Sequence, residues 1–443
     1  MSGIAEILLC LGYKVSGSDA SRSSTVEKLE AMGATVHLGH KAENVKGATV
    51  LVYSSAIRQD NPEIVQAKEN RIPIMRRAEM LAELMRLKKG IAIAGTHGKT
   101  TTTSMLATIL QESKYEPTYI IGGIVENLKG HAKVGTGEYL VAEADESDGS
   151  FLLLHPIMSV ITNIDNDHLD HYGSEEALHE AFLEFANSVP FYGVCSLNFH
   201  DRTIKRLFKE MRKPWVTFGI SEIETGADFE ARDIKYEGTK TRYDLYYKGE
   251  KQVEVSLAIP GEHNVLNSLG AISIAYNMGL SFELIANSIK KFNGVGRRFQ
   301  TLFENNKIQI IDDYGHHPTE IKSTLRATRG CFPDRKLTVF FEPHRFTRTK
   351  DCWNDFLHCF NYADKVFLKP IYPASEEPIS GITSKRLAKD INALHPGLVE
   401  ILDEADDMYE HLDKLVDEDT IIVTLGAGAI GRRIREWVQK KNS

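Results

Sequence analysis

Gly95-Thr96-His97-Gly98-Lys99-Thr100 follows an apolar run, Gly90-Ile91-Ala92-Ile93-Ala94, and precedes a stretch that reads as a helix. Backbone N–H groups at such a helix start converge and carry partial positive charge, so they can cradle a polyphosphate. Lys99 is then placed for the β- and γ-phosphates, and the Thr100 hydroxyl for Mg²⁺. The usual P-loop has four residues between its glycines, and this one has two. A plain glycine turn with a capping threonine would explain Gly-x-x-Gly. It would not explain the added Lys-Thr or the run Thr100 to Thr103, which is a poor helix former.

Two further runs leave apolar strands carrying oxygen ligands. Glu143-Ala144-Asp145-Glu146-Ser147-Asp148 follows Tyr139-Leu140-Val141-Ala142, and Thr162-Asn163-Ile164-Asp165-Asn166-Asp167-His168-Leu169-Asp170-His171 follows another strand. Acids at such a position are costly unless a cation meets them, and open α/β sheets bind ligands at that edge. Each run alone reads equally as a solvated loop, and His168 and His171 alone read as surface histidines. Three strand ends on one edge favour a nucleotide–metal site, and the oxygen-rich set suits Mg²⁺ rather than Zn²⁺.

Downstream, Gly261-Glu262-His263-Asn264-Val265-Leu266-Asn267 places amides at a helix start, as an N-cap or as readers of an adenine edge; spacing does not separate the two. Arg297-Arg298 after a glycine linker is either a phosphate contact or a solvated basic pair. Asp312-Asp313-Tyr314-Gly315-His316-His317-Pro318 and Glu342-Pro343-His344-Arg345-Phe346-Thr347-Arg348 end two strands. Arginines there suit forked recognition of a carboxylate or phosphate, whereas adjacent His316 and His317 lack the i, i+4 spacing of a helical zinc pair. Gly426-Ala427-Gly428-Ala429-Ile430-Gly431 matches the dinucleotide fingerprint, but no ribose-binding acid follows it, so close strand–helix packing explains it better.

These residues must be held by βαβ units, because short apolar runs alternate with amphipathic stretches along the whole chain. A length of 443 residues predicts about three domains, with boundaries near 84 and 295: residues 1–84, 85–295 and 296–443. In the first, helices are expected over 3–11 and 25–32, and strands end at Asp19, Leu38 and Tyr53. An acid such as Asp19 at the end of the second strand of such a unit faces a ribose or base. The strand and glycine turn expected ahead of Met1-Ser2-Gly3 are missing. A net charge of −8 argues against a nucleic-acid partner. Five scattered cysteines without a C-x-x-C pair fit a reducing, cytoplasmic setting, and no apolar run reaches the length of a membrane span.

Taken together, the runs around Gly95–Thr103, Glu143–Phe151, Thr162–His168, Asp312–Pro318 and Pro343–Arg348 closely resemble the Mur ligases of bacterial cell-wall synthesis, over essentially the whole chain. The shortened P-loop is that family's usual form. The resemblance implies an α/β chain of three domains: a Rossmann-like N-terminal domain for a UDP-sugar, a central P-loop ATPase-type domain with a mixed sheet, and a Rossmann-like C-terminal domain that brings the amino acid. The implied reaction passes the γ-phosphate of ATP to the lactyl carboxylate of UDP-N-acetylmuramate. The amine of L-alanine then attacks the acyl phosphate.

By the same resemblance, Lys99 binds the phosphates with Gly95, Thr96, His97, Gly98, Thr100 and Thr101. Thr100 and Glu143 hold one Mg²⁺, and His168 helps hold a second. His263, Asn264 and Asn267 meet adenine, while Arg298 and Asp313 grip ATP. Tyr314, His316, Arg345 and Arg348 form the alanine pocket, and Asp19, His40 and Ser54 face uridine. Lys99, Glu143, His168 and Arg345 are the expected catalytic set. No lysine stands between His168 and Asn187, so no carbamate is expected, in line with the alanine-adding branch. Ser2 and Gly3 are what remains of the family's diphosphate-binding glycine turn. The rival readings are the related ligase that recycles murein tripeptide and a non-catalytic nucleotide-binding remnant.

Overall fold

Strands that are apolar at every position can be buried on both faces, which is how the centre of a parallel sheet is built. The strand Lys89–Ala94 is of that kind, buried from Gly90 onward. In the computed structural model, which describes residues 1–443 except 55, 126, 127, 129, 166–168, 403–407, 417 and 443, it lies between Tyr139–Glu143 and Met158–Ile161 and runs parallel to both. The carboxyl ends of all three strands therefore open on one edge. From that edge leave the loop at Gly95, the acidic run after Glu143 and the run that begins at Thr162.

These strands belong to a sheet of ten, in the order Glu250–Leu257, Lys240–Tyr247, Phe229–Glu237, Trp215–Ile220, Val194–Asn198, Met158–Ile161, Lys89–Ala94, Tyr139–Glu143, Thr118–Val125 and Gly130–Lys133. The last strand is antiparallel to its neighbour, so the sheet is mixed. Lys240–Tyr247 and Glu250–Leu257 are joined by Lys248 and Gly249, both at positive φ (49° and 84°), the backbone of a type I′ hairpin turn.

By its internal contacts the chain forms two compact units. One comprises Met1–Arg232, Asp244–Val255 and Leu266–Phe292; the other comprises Asp233–Tyr243, Ser256–Val265 and Asn293–Ser443. The start of the first unit carries four short strands in two separate parallel pairs, Ser16–Asp19 with Thr35–Leu38 and Leu51–Tyr53 with Ile74–Arg76. Among the described residues no strand joins the pairs. The helix Ser2–Cys10 buries Ile4 and Ile7 in the same cluster as Met80, Leu81 and Leu84 of the helix Arg77–Arg86 and Ala92, Ala94 and Leu140 of the large sheet.

In the second unit six strands run in the order Gln300–Glu304, Ile308–Asp313, Thr420–Leu425, Lys336–Phe341, Lys365–Leu368 and Val399–Ile401. All pairs are parallel except the first, which is antiparallel. One core cluster contains Ile321, Leu325, Val339 and Phe341, and another contains Phe340, Ile422, Ile434 and Trp437. The glycine turn after Leu425 is a packing device. Glu342 Oε2 accepts the Ile430 N–H at 3.1 Å at the start of the last helix, and a Cβ on Gly428 would lie 2.3 Å from that oxygen. A carboxylate already occupies the place where a dinucleotide's diphosphate would sit. Among the described residues no helix is long and apolar enough to cross a membrane.

Candidate active site

Side chains from the neighbouring strand exit hold the loop Gly95–Gly98 in place. Asn163 accepts the His97 N–H at 2.8 Å and donates to the His97 carbonyl at 2.9 Å, and the Thr162 hydroxyl donates to the same carbonyl at 2.6 Å. The Thr96 hydroxyl accepts the Asp165 N–H at 2.9 Å, and His97 Nε2 lies 3.1 Å from Asp165 Oδ2. The run after Ile161, expected to supply metal ligands, thus works through Thr162, Asn163 and Asp165 as the clamp on the loop. His168 lies outside the described residues.

Only glycine fits two positions of this loop. Gly95 has φ +126°, and a Cβ there would stand 2.1 Å from Thr162 Oγ1. Gly98 has φ +85°, and its Cβ would stand 2.3 Å from Asn267 Oδ1. Asn267 also accepts from the Thr102 hydroxyl at 3.3 Å, so it sits against the first turn of the helix Lys99–Glu112. Thr101 is buried on that same turn.

The three donors of the Lys99 ammonium meet the Gly95 carbonyl at 2.6 Å, the Thr96 carbonyl at 3.2 Å and the Glu146 carboxylate at 2.7 Å. Glu146 is only 2 % exposed, and its burial, partly offset by Lys99, raises its pKa. Asp145 nearby is held below the usual carboxylate range. Burial would raise it, but the Ser147 hydroxyl and the charges of Lys99 and Arg77 prevail. Two residues on from Gly98, the Thr100 hydroxyl donates to Glu143 Oε2 at 3.1 Å, while Glu143 Oε1 accepts the Gly122 N–H at 2.5 Å. A hydroxyl and a carboxylate side by side form a hard oxygen pair suited to Mg²⁺.

The residues expected at the uridine end stand apart. Asp19 accepts the Ser21 N–H and Ser54 the Ala56 N–H, each closing its own short turn. His40 instead joins Ser18 (2.9 Å), whose hydroxyl donates to Glu63 at 2.7 Å, and Asn44 donates to the other Glu63 oxygen at 2.7 Å. Glu63 was not legible as part of this group, because 45 residues separate it from Ser18.

His263 and Asn264 of the second unit lie in the first turn of the helix Glu262–Asn277, which excludes the N-cap reading; Asn264 donates to the Pro260 carbonyl at 2.7 Å. His263 is buried and its pKa falls to about 4, through desolvation and then the charge of Arg298. Arg298 lies over the Tyr314 ring and 3.5 Å from Glu320. Asp313 is occupied. Its oxygens accept the Phe299 N–H at 2.8 Å and the Gly315 N–H at 2.7 Å. Arg297 and Phe299 both sit at positive φ (62° and 48°), so Asp313 fixes a strained linker.

Tyr314, His316, Arg345 and Arg348 are joined by two residues the sequence reading gave no role, His344 and Tyr372. The His344 ring stacks on Tyr372 at 5.5 Å and lies 5.8 Å from the His316 ring. The Arg345 N–H donates to the Tyr372 carbonyl at 2.9 Å, and the Arg345 guanidinium lies 3.8 Å from Glu376. Arg345 itself has φ +71°, a strained backbone at the start of the helix Phe346–Asp351. His344 had a signal, standing beside the arginines in the same run. Tyr372 and Glu376 had none.

Burial depresses His316 and His344 to about 4, with Glu320 opposing and Arg348 assisting for the first, and Arg348 and Arg345 assisting for the second. With His263, three histidines of this unit stay neutral when folded. The unfolded chain takes up their protons near pH 6.5, whereas the folded chain does so only near pH 4. Stability therefore falls as pH is lowered through that window, ahead of the range in which carboxylates usually drive acid unfolding. Thermal unfolding without ligands, followed from pH 7.5 to 4.5, is expected to show a declining midpoint that flattens in part when His263 is replaced by Gln. A midpoint constant down to pH 5 would contradict the buried neutral histidines.

Comparison with known proteins gives consistent matches along the chain. Residues 1–89 match the model described as Mur ligase family, catalytic domain; residues 93–275 match the Mur ligase middle domain; residues 297–428 match the Mur ligase, glutamate ligase domain. A UDP-N-acetylmuramate–L-alanine ligase of Geotalea daltonii is 49 % identical over 440 residues, 99 % of this chain and 95 % of that protein. The enzyme of the same name from Geobacter sulfurreducens is 49 % identical over 97 % of this chain and 93 % of its own. Among solved structures, the UDP-N-acetylmuramate–alanine ligase of Thermotoga maritima is similar with a TM-score of 0.82 at 28 % identity, covering 100 % of this chain and 96 % of that one. A murein peptide ligase from Psychrobacter arcticus shares the fold, with a TM-score of 0.71 at 24 % identity over 99 % of this chain and 96 % of its own.

Proposed function

The chain belongs to the Mur ligase family, and from that premise we propose how its residues divide the work of joining L-alanine to UDP-N-acetylmuramate. It is an ATP-dependent ligase of peptidoglycan precursor synthesis. A carboxylate is a poor electrophile until one oxygen becomes part of a leaving group. The lactyl carboxylate attacks the γ-phosphorus and ADP departs. The amine of L-alanine then adds to the acyl carbon, loses a proton, and the tetrahedral intermediate expels phosphate. Catalysis is mainly alignment and neutralisation of charge.

The observation that carries the reading is the loop whose lysine already has three oxygen acceptors at its ammonium, beside the Thr100–Glu143 pair. Lys99 exchanges those acceptors for phosphate oxygens, and the Gly98–Thr101 backbone meets the remaining charge. Thr100 and Glu143 would hold Mg²⁺, which when bound neutralises phosphate charge; His168 belongs to the same proposal. Asn267, Asn264 and His263 are assigned to adenine, and Arg298 to the phosphates. Asp313, which fixes the linker beside Arg298, is assigned with it to ATP.

Tyr314, His316, Arg345 and Arg348 take the amino acid, with an arginine fork on its carboxylate. The His344 ring and its stacked partner Tyr372 join this group, and the likeness of the group to an alanine pocket favours alanine over tripeptide as acceptor. Asp19, His40 and Ser54 remain assigned to the uridine end, with Glu63 holding Ser18 and Asn44 behind them. Five cysteines without a disulfide among them, and substrates such as ATP and a nucleotide sugar, support a cytoplasmic site of action. The test is phosphate release. It is expected to require ATP, UDP-N-acetylmuramate and L-alanine together, and to be at most weakly supported by the tripeptide. Release independent of alanine would sink the reading.

A further inference from the structure

Arg77 is the first residue of the helix Arg77–Arg86 and follows the strand Ile74–Arg76, so it comes from the segment assigned to the nucleotide sugar. Its guanidinium nevertheless reaches the edge of the large sheet, where Nη2 lies 3.2 Å from Asp145 Oδ2. A cavity of about 190 Å³, open to solvent, is lined there by Arg77, Glu143, Asp145 and Ser150 on its polar side, with Ala78, Leu81, Phe151 and Leu154 completing it. Most of that space is open to solvent and only about 10 Å³ is enclosed, room for about one water, so this is a shallow cleft against which one arm of a substrate can lie rather than a preformed pocket. Arg77 is the only cation among these lining residues.

The charges decide what that arm is. A carboxylate that attacks a phosphate must come within about 3–3.5 Å of phosphorus, and the phosphate site is marked by Lys99 and the Thr100–Glu143 pair. Glu143 lines this cavity. An incoming carboxylate therefore joins two resident ones and is repelled unless a cation receives it. Arg77 has a rigid fork of five N–H donors, and its side chain is 36 % exposed, so donors remain for a carboxylate while Asp145 holds the guanidinium in place. The apolar side offers contact to the methyl group that distinguishes a lactyl ether from a hydroxyl.

We propose that Arg77 receives the lactyl carboxylate of the nucleotide sugar and orients it toward the phosphate site, with Asp145 positioning the arginine. This rests on the ligase reading above. The experiment compares binding of UDP-N-acetylmuramate with that of UDP-N-acetylglucosamine, which lacks the lactyl group, to the full chain and to its Arg77→Gln and Arg77→Lys variants. A charge-assisted fork contributes about 1.5–3 kcal/mol, or roughly 10- to 100-fold in affinity. The unsubstituted chain is expected to prefer UDP-N-acetylmuramate by about that factor. In Arg77→Gln the preference collapses to about twofold while UDP-N-acetylglucosamine binds as before, and Arg77→Lys recovers part of it. The KM for the muramate sugar rises at least about tenfold, while the KM values for ATP and L-alanine stay within about twofold.

Equal weakening of both sugars in Arg77→Gln would overturn the proposal, since the arginine would then serve the diphosphate or the fold. An unaltered preference would also overturn it. If the unsubstituted chain releases no phosphate with UDP-N-acetylmuramate and L-alanine, the ligase reading itself fails, which is a separate result.

Discussion

Lys99→Ala is expected to lower ATP-dependent amide formation by about 10³-fold or more, because phosphoryl transfer depends on placed positive charge and little else from the protein. Mass-spectrometric detection of the alanyl product gives the readout. The substitution is also expected to leave the fold intact. Lys99 is the counter-ion of Glu146, which is 2 % exposed, and an unpaired buried carboxylate is costly. Burial has already raised the Glu146 pKa, however, so this carboxyl can take up a proton instead of remaining charged. The melting temperature should therefore fall by only a few degrees, and Lys99→Ala combined with Glu146→Gln should recover that loss without recovering activity. Undiminished ligation in the single variant would remove Lys99 from the phosphate site.

Glu143→Gln is expected to be nearly as severe, with a loss in kcat of about 10²- to 10³-fold, or roughly 3–4 kcal/mol of transition-state stabilisation. Both carboxylate oxygens accept hydrogen bonds, one from the Thr100 hydroxyl and one from the Gly122 N–H. An amide has one acceptor oxygen, which must face Gly122, since an NH₂ group there would oppose another donor. The NH₂ group then faces Thr100, turning an oxygen pair suited to a hard cation into one that presents N–H groups. Raising Mg²⁺ should recover part of the lost rate, while the KM for L-alanine stays within about twofold because its pocket is built elsewhere. A KM for L-alanine that rises with the fall in kcat would show that Glu143 acts through the fold.

The residues that could be read in advance are those whose role follows from local spacing. Lys99 and Thr100 stand at a strand-to-helix turn, and Glu143 ends the neighbouring strand; the parallel register of Lys89–Ala94 with Tyr139–Glu143 brings Thr100 to Glu143. Contacts across long separations were not readable in this way. Arg77 and Asp145 are 68 residues apart, and Lys99 and Glu146 are 47 apart, so neither local periodicity nor motif spacing connects them. The run from Thr162 was read as part of a nucleotide–metal site, with His168 its metal ligand, and its oxygen-rich side chains also serve the loop. The same chemistry hydrogen-bonds a backbone, and Thr162, Asn163 and Asp165 do that. The strand Gln300–Glu304 carries little signal in the sequence, being short and only partly buried, as edge strands are. The helix Glu262–Asn277 takes in Glu262 and His263, which resemble loop residues until Arg326 pairs with Glu262 and burial encloses His263.

The two separate strand pairs at the start of the chain carry a thermodynamic consequence. A ladder of two strands protects each backbone on one side only, and the residues of Ser16–Asp19 are mostly exposed. Native-state hydrogen exchange is expected to find Ser16–Asp19 and Leu51–Tyr53 opening at free energies well below those of the buried central strand Lys89–Ala94. Association with a nucleotide sugar is then expected to raise the opening free energies of this segment, since a ligand held only by the closed form stabilises it.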